Sequence, residues 1–140
     1  GDVQFVDDET QFELAMKDFA DRGIEQVIVE EHLEGDLIKF YGVEGTPFFY
    51  TTYPTEKGGF SKFGLEEQNG LPQHFCFDVE KLKREADRAA QLTGMMVYGG
   101  DAVITAEGSV HIIDFNDWPS FAACRKEAAK AIANRIKLLG

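Results

Sequence analysis

The sequence predicts an α+β fold in which mainly antiparallel sheets pack against three helices. Three observations indicate this class. Capping residues followed by apolar residues at helical spacing occur three times. Short runs rich in β-branched and aromatic residues lie between these segments, and tight turns join several of them. With 140 residues, 44% hydrophobic and 12% aromatic, the chain has enough apolar surface for one compact core, which excludes a disordered acidic tail.

The first third of the chain has the pattern strand, helix, strand. An apolar run over residues 3–6 predicts a short strand. Thr10 and Glu13 have the spacing of a capping box at the start of a helix that Gly23 ends. The Val-Ile-Val run at residues 27–29 predicts a buried strand. We therefore expect one helix between two strands here.

Two more strands are expected before the middle of the chain, over residues 37–43 and 47–53. The stretch 54–77 is punctuated by glycines and predicts a loop region rather than a domain linker. We therefore expect residues 1–53 to belong to one subdomain and residues 78–140 to another.

A helix, a hairpin and a final helix are predicted in the last third of the chain. Capping residues mark the start of each helix, and an acidic residue followed by glycine marks the hairpin turn. In order, these elements are a helix from Asp78 to Gly94, strands over 95–106 and 109–114 joined by Glu107 and Gly108, and a helix capped by Ser120.

The charge of the chain is strongly acidic. Asp and Glu total 25 against 14 Lys and Arg, which gives a formal net charge of −11. Twelve of the acids and only two bases lie between Asp2 and Asp36. Phosphate backbones and anionic membrane surfaces repel such a chain, so we expect neither nucleic acid nor membrane as a partner. The open question is whether the acids form a solvated coat or include a cation site.

The cysteines and apolar runs indicate a cytoplasmic protein. Cys76 and Cys124 cannot form a disulfide framework, and their apolar neighbours predict two buried free thiols of a reducing compartment. No apolar run approaches the length of about 20 residues that spans a bilayer. Because the chain opens on Gly1 without an initiator Met, we also expect it to be part of something longer.

The predicted hairpin brings two carboxylates together. If Glu107 and Gly108 form a two-residue turn, Asp101 lies directly opposite Asp114, and Asn116 shares their face of the sheet. The same register places His111 opposite Ile104, on the other face. Opposed like charges destabilise a sheet unless something compensates them.

A hard divalent cation would compensate this pair. Asp101, Asp114 and Asn116 offer two carboxylates and an amide oxygen, the ligand types that Mg²⁺ prefers. The alternative is structural, with one carboxylate capping a turn and the other pointing to solvent. A register shift of one residue would separate the two side chains and remove the site.

The segment from Ile112 to Pro119, which reads Ile-Ile-Asp-Phe-Asn-Asp-Trp-Pro, resembles the closing motif of the ATP-grasp superfamily. There, an acidic residue and an Asn bind the Mg²⁺ ions that bridge the phosphates of ATP. A further metal carboxylate lies on the preceding strand after a glycine, which matches Asp101. The resemblance implies an ATP-grasp-like fold and assigns Asp101, Asp114 and Asn116 to the metal.

A second segment, residues 27–36, resembles the strand and hinge that hold adenine in this family. The resemblance makes residues 1–53 part of a nucleotide-binding subdomain and residues 78–140 the metal-binding one. Lys39 matches a position where many members direct a base at phosphate or acceptor, so it is the catalytic candidate; its alternative is a surface ion pair. The nucleotide-binding candidates are Glu30, Glu31, His32, Leu33, Asp36 and Lys39, with Glu34 as an alternative to Asp36 at the ribose.

The resemblance covers about residues 1–137, the C-terminal half of an ATP-grasp domain. It implies ATP and Mg²⁺ as cofactors, a small-molecule acceptor, and the N-terminal half of the enzyme as a missing partner. The function it implies is phosphoryl transfer, as a carboxylate–amine or carboxylate–thiol ligase acting through an acylphosphate. The alternatives are a small-molecule kinase like the inositol-phosphate kinases, and a non-catalytic nucleotide-binding or interaction module.

Overall fold

A computed structural model of the chain describes residues 2–54 and 71–138. The described residues form two compact units, the first ending at His32 and the second beginning at Leu33. They contain three α-helices and a four-stranded antiparallel sheet, which confirms the α+β class. None of the helices within these ranges is both long and apolar enough to cross a bilayer.

The sheet belongs entirely to the second unit. Its strand order is β2-β1-β3-β4, and every neighbouring pair is antiparallel. The strands predicted on either side of the loop region therefore share one sheet, and the boundary between the compact units lies after His32. The elements in order are α1 (Glu9–Asp21), β1 (Asp36–Val43), β2 (Phe49–Thr52), α2 (Val79–Thr93), β3 (Val97–Ile104), β4 (Val110–Asp117) and α3 (Arg125–Lys137).

The first unit is built on α1, whose start differs from the prediction. Asp8, not Thr10, caps the helix, and its Oδ1 accepts a hydrogen bond of 2.8 Å from the backbone N–H of Gln11. The Gln11 side chain in turn accepts from the backbone N–H of Asp7 at 3.2 Å. Because Asp is as good a cap as Thr, the helix begins at the earlier of two competing capping residues.

The two strands predicted in this unit are absent. Neither residues 3–6 nor residues 27–29 form a strand, and Val3 and Ile28 are 82% and 88% exposed. An apolar run forms a strand only where another strand supplies backbone partners and a packed face. The described part of this unit offers no such partner, so the two strands predicted from the apolar pattern alone are wrong.

The core of the second unit lies between α2 and one face of the sheet. Asp78 caps the helix as predicted, accepting from the backbone N–H of Lys81 at 2.9 Å, and Gly94 ends it in the left-handed conformation. The side chains buried in the cluster come from one stripe of α2 and from β1 and β3: Leu82, Ala86, Ala90, Ile38, Phe40, Tyr98, Ala102 and Ile104.

One polar group enters this core. The hydroxyl of the fully buried Tyr98 donates a hydrogen bond of 2.6 Å to Asp87 Oδ1, and Lys83 pairs with the other oxygen of Asp87. Burial, with the Asp87 contact, raises the pKa of Tyr98 well above its ordinary value. The tyrosine thus stays neutral and its hydroxyl has a partner, as a buried phenol requires.

Residues before α3 pack on the other face of the sheet. The Phe121 ring lies 5.7 Å from that of Tyr41 in β1. The helix begins at Arg125, after Cys124, so Ser120 does not cap it.

Burial raises the pKa of the Cys124 thiol to about 11, and Glu127 adds to the shift.

The prediction of two buried thiols is half correct. Cys124 is buried, but Cys76 is exposed. Cys76 lies in the stretch that precedes Asp78, which has no regular secondary structure, so the aromatic residues beside it in sequence do not enclose its side chain.

The core position of Leu82 predicts a large loss of stability on truncation. Leu82→Ala should lower the free energy of unfolding by about 2–5 kcal/mol, because it removes buried methyl groups and leaves a cavity. Leu92→Ala, on the same helix but 79% exposed, should change it by less than about 0.5 kcal/mol. Urea unfolding of both variants measures the difference, and equal losses would contradict the assigned face of α2.

A pH-dependent contribution is expected from Glu44. Its carboxylate accepts hydrogen bonds from Arg135 at 2.7 Å and from Gln91 at 3.1 Å, and these bonds hold its pKa below the ordinary 4.5. A lowered folded-state pKa stabilises the protein above the unfolded value and loses this effect as pH falls through the folded one.

Glu44→Gln should therefore cost about 1 kcal/mol at pH 7, and the difference from wild type should disappear as pH falls well below 4.5. Chemical unfolding at several pH values provides the measurement. Glu85→Gln on α2, whose partner Lys81 lies 3.9 Å away at the surface, serves as the control with a smaller effect. A cost that persists at the lowest pH would mean that the Glu44 contribution is not ionic.

Candidate functional site

A single row of polar side chains crosses the sheet. Lys39 in β1 is paired with Thr52 in β2 on one side and with Asp101 in β3 on the other. Asp101 is in turn paired with Asp114 in β4. Directly paired residues point to the same face of a sheet, so these four side chains lie side by side.

The pairing of Asp101 with Asp114 is confirmed, although the turn that predicted it is wrong. Near the turn, Ile104 is paired with Val110, which makes the loop one residue longer than the predicted two-residue turn. A β-bulge then leaves Ile113 as an extra residue in β4 and restores the opposition of the two aspartates. The two one-residue differences cancel.

The bulge also corrects the neighbour of His111. This residue lies opposite Val103 rather than Ile104, because it is on the turn side of the bulge. Only residues beyond the bulge keep the predicted register, and they include Asn116, which is paired with Gly99. Bulges commonly re-aim a side chain in this way beside functional sites.

Two glycines allow the chain to close tightly around this row. A Cβ on Gly100 would lie 2.0 Å from the backbone oxygen of Asp114, and one on Gly99 would lie 2.7 Å from Cγ of Pro119. Trp118, with a positive φ of 43°, turns the backbone so that Pro119 covers Gly99. The pattern Gly-Gly-Asp is thus required by close backbone approach.

The charge of Asp101 is compensated by Lys39. The ammonium Nζ lies 3.0 Å from Asp101 Oδ1 and 3.3 Å from Oδ2, and the two side chains are only 23% and 26% exposed. Asp114 accepts a hydrogen bond from the Asn116 amide. From the sequence, an ion pair is the alternative role of Lys39, but its partner is not identified there, although Lys39 and Asp101 are opposite single charges in the interiors of their strands, a recognisable cross-strand signal.

The donor chemistry of the row fits a small divalent cation. Asp101 and Asp114 supply two carboxylates on one face, and a half-turn of the Asn116 amide exchanges its nitrogen for its oxygen, which is a good ligand for Mg²⁺. Across residues 2–54 and 71–138, however, no group of three or more Asp, Glu, His or Cys side chains could hold a metal. Mg²⁺ commonly keeps several waters and takes only one or two carboxylates from the protein.

The residues predicted to form the adenine hinge lie in irregular backbone. Glu30, Glu31, His32 and Leu33 belong to no helix or strand, and the strand expected before them is absent. The edge of the His32 ring contacts the Phe5 ring at 4.9 Å between centroids. The division between the two compact units falls within this segment, after His32.

Asp36 has a structural role. It is the first residue of β1 and only 3% exposed. Its two oxygens accept hydrogen bonds from the backbone N–H groups of Gln73 and Phe75, at 2.6 and 2.8 Å. These bonds attach the stretch before α2 to the sheet, whereas Glu34, the alternative ribose candidate, is exposed.

A cavity of about 260 Å³ lies elsewhere, beyond the end of β1. Glu44 and Arg135, which are paired with each other, form its polar wall, and Met95 and Met96 form part of its apolar wall. None of the predicted site residues lines it. The cavity therefore adds no ligand site to the polar row.

No protein-family model, curated protein or solved structure matches this chain. The resemblance to the ATP-grasp superfamily accordingly rests on the motifs quoted above and stays a prediction. The α+β class and the register of the polar row stand independently of it, because both are features of the folded chain.

The role of Asp36 can be tested by its effect on stability. Asp36→Asn should lower the free energy of unfolding by about 1–3 kcal/mol, because an amide at this buried position places N–H groups against one of the two backbone N–H donors. Glu34→Gln, two residues earlier and exposed, should have little effect. Thermal or urea unfolding provides the measurement, and an unchanged stability of Asp36→Asn would contradict a structural role.

Proposed function

We propose that the polar row is the metal and phosphate site of an ATP- and Mg²⁺-dependent phosphoryl-transfer enzyme portion of ATP-grasp type. The observation that carries the proposal is the direct opposition of Asp101 and Asp114 on neighbouring strands. Asp114 lies in residues 112–119, whose sequence resembles the family's closing motif. The reaction proposed is that of a carboxylate–amine or carboxylate–thiol ligase acting through an acylphosphate.

Each residue of the row has a distinct task in this proposal. Asp101 and Asp114 would hold Mg²⁺ together with the amide oxygen of Asn116, and the ion would neutralise charge on the phosphate oxygens. Lys39, one strand away, would pair with a phosphate oxygen through its ammonium. Because β1, β3 and β4 are hydrogen-bonded neighbours, the backbone positions that carry these side chains are fixed before any ligand binds, and positioning of this kind dominates phosphoryl-transfer catalysis.

The adenine and ribose roles have weaker support. Glu30, Glu31, His32 and Leu33 as adenine-hinge residues depend on the resemblance alone. The ribose role fits Glu34 better than Asp36, because Glu34 is exposed while both oxygens of Asp36 already accept hydrogen bonds from backbone N–H groups. The small-molecule acceptor and the N-terminal half of the domain as a partner are also proposed from the resemblance alone.

The alternatives differ in what they consume. A ligase completes its turnover only when a carboxylate and an amine or thiol are both present: the carboxylate takes the γ-phosphoryl of ATP and releases ADP, and the amine or thiol then displaces phosphate from the acylphosphate. A kinase phosphorylates a hydroxyl acceptor without a second nucleophile. A non-catalytic module binds nucleotide with no turnover, and an unrelated domain with an acidic face binds none. The ion pair between Lys39 and Asp101 suits the last reading too, since it compensates a carboxylate without any metal.

Nucleotide binding can be tested by thermal stability. Saturating Mg·ATP should raise the Tm of the wild-type chain, because a ligand that binds only the folded state stabilises it, by about 2.7 kcal/mol at 100 times Kd. Asp114→Ala should abolish the rise. Glu107→Ala, which removes a carboxylate from the loop of the same hairpin, should keep it.

Two outcomes contradict the proposal. One is a wild-type Tm that does not respond to Mg·ATP. The other is an equal rise in the Asp114→Ala variant, which would place the nucleotide elsewhere. ATP with EDTA in place of Mg²⁺ provides a further control, because the rise should then be lost.

A further inference from the structure

The carboxylate of Asp101, in the middle of the polar row, already pairs with a positively charged side chain of the protein. The Lys39 ammonium contacts both oxygens of Asp101, at 3.0 and 3.3 Å. Asp101 lies between Lys39 and Asp114, so one positive charge is followed by two negative charges across neighbouring strands. A metal ion between the two aspartates would place a second cation on the carboxylate that the ammonium already contacts.

We propose that Asp101 exchanges the Lys39 ammonium for a divalent cation, and that the released ammonium pairs with the phosphate that arrives with the metal. This inference rests on the proposed function of the row. Lys39 then acts as an internal counter-ion in the unliganded protein and as a phosphate contact in the liganded one. The exchange makes the site selective for a metal–phosphate pair over a bare metal ion.

The net charge of the polar row favours exchange of the two cations over simultaneous contact of both with Asp101. The row carries one positive and two negative charges, so it holds a net charge of −1. Adding a divalent cation while Lys39 stays on Asp101 gives +1, with two cations sharing one partly buried carboxylate, where Coulomb repulsion is poorly screened. Phosphate oxygens supply the negative charge that accepts the ammonium.

The side chain of Lys39 can make this move without a change in the backbone. Its Cα is fixed by pairing on both sides, with Thr52 and Asp101. The flexible four-carbon stem of lysine, however, lets the ammonium swing over several ångströms. The Lys39 side chain as a whole is 23% exposed, so it reaches solvent, from which an anion arrives. The switch is therefore a rotamer change at one residue.

Binding of Mn²⁺ without nucleotide tests the exchange. Lys39→Gln should bind Mn²⁺ about three- to tenfold more tightly than wild type, the size expected when a partly buried competing ion pair is removed. Lys39→Arg keeps the competing charge and should resemble wild type. Lys81→Gln removes one positive charge at an exposed position of α2 and should change the affinity by less than about twofold. Titration followed by electron paramagnetic resonance of free Mn²⁺ gives the four constants.

A second readout follows the lysine itself. In protein labelled with ¹³C-lysine, the signal assigned to Lys39 by its loss in Lys39→Gln should shift when Mg²⁺ and inorganic pyrophosphate are added together. Mg²⁺ alone should move it less. The Lys81 signal should stay unchanged, and unfolding curves without metal establish that each variant is folded.

The outcomes separate this inference from the proposed function. If Lys39→Gln binds Mn²⁺ no more tightly than wild type while Asp114→Asn loses the binding, the exchange is overturned and the metal site stands. If wild type, Lys39→Gln and Lys39→Arg all fail to bind millimolar Mn²⁺, the metal site and the exchange are both overturned. Tighter binding in Lys39→Gln alone supports the exchange.

Discussion

The eight-residue pairing of β1 with β3 is the constraint on which the rest of the second unit depends. Both strands have a neighbour on each side in the sheet. On one face the pairing brings Ile38 and Phe40 into the core beneath α2, and on the other it places Lys39 beside Asp101. Because side chains alternate along a strand, a slip of one residue would expose the apolar set and bury the ions together. Core and polar row therefore specify the same register.

That register changes how the acidity of the chain should be interpreted. From the sequence, Asp101 and Asp114 are opposed like charges that require an external cation. In the folded protein, the Lys39 ammonium meets part of that requirement from the neighbouring strand, so an internal partner already compensates Asp101. A polar row of this kind suits a site that is charged and folded before its ligand arrives, as preorganised electrostatic sites are.

The sequence predicted correctly the features that depend on neighbouring residues, and it failed where a feature depends on residues distant in sequence. The second helix was predicted correctly at both ends, because Asp78 and Gly94 act on the backbone within one turn of themselves. The strands at residues 3–6 and 27–29 were predicted wrongly, because strand formation needs a partner distant in sequence. Ser120 and Thr10 are good capping residues that the folded chain does not use as caps, since other positions start those helices.

By itself, the sequence determined the α+β class, the ends of the second helix, and the shared face of Asp114 and Asn116, which lie two residues apart on one strand. These features depend on local spacing and on side-chain alternation, which a linear pattern contains. Only the tertiary structure decided that a bulge at Ile113 restores the aspartate pair, that Asp36 is buried against backbone donors, and that Lys39 meets Asp101. Each of these joins segments whose relative register is set by packing, and no local pattern carries that information.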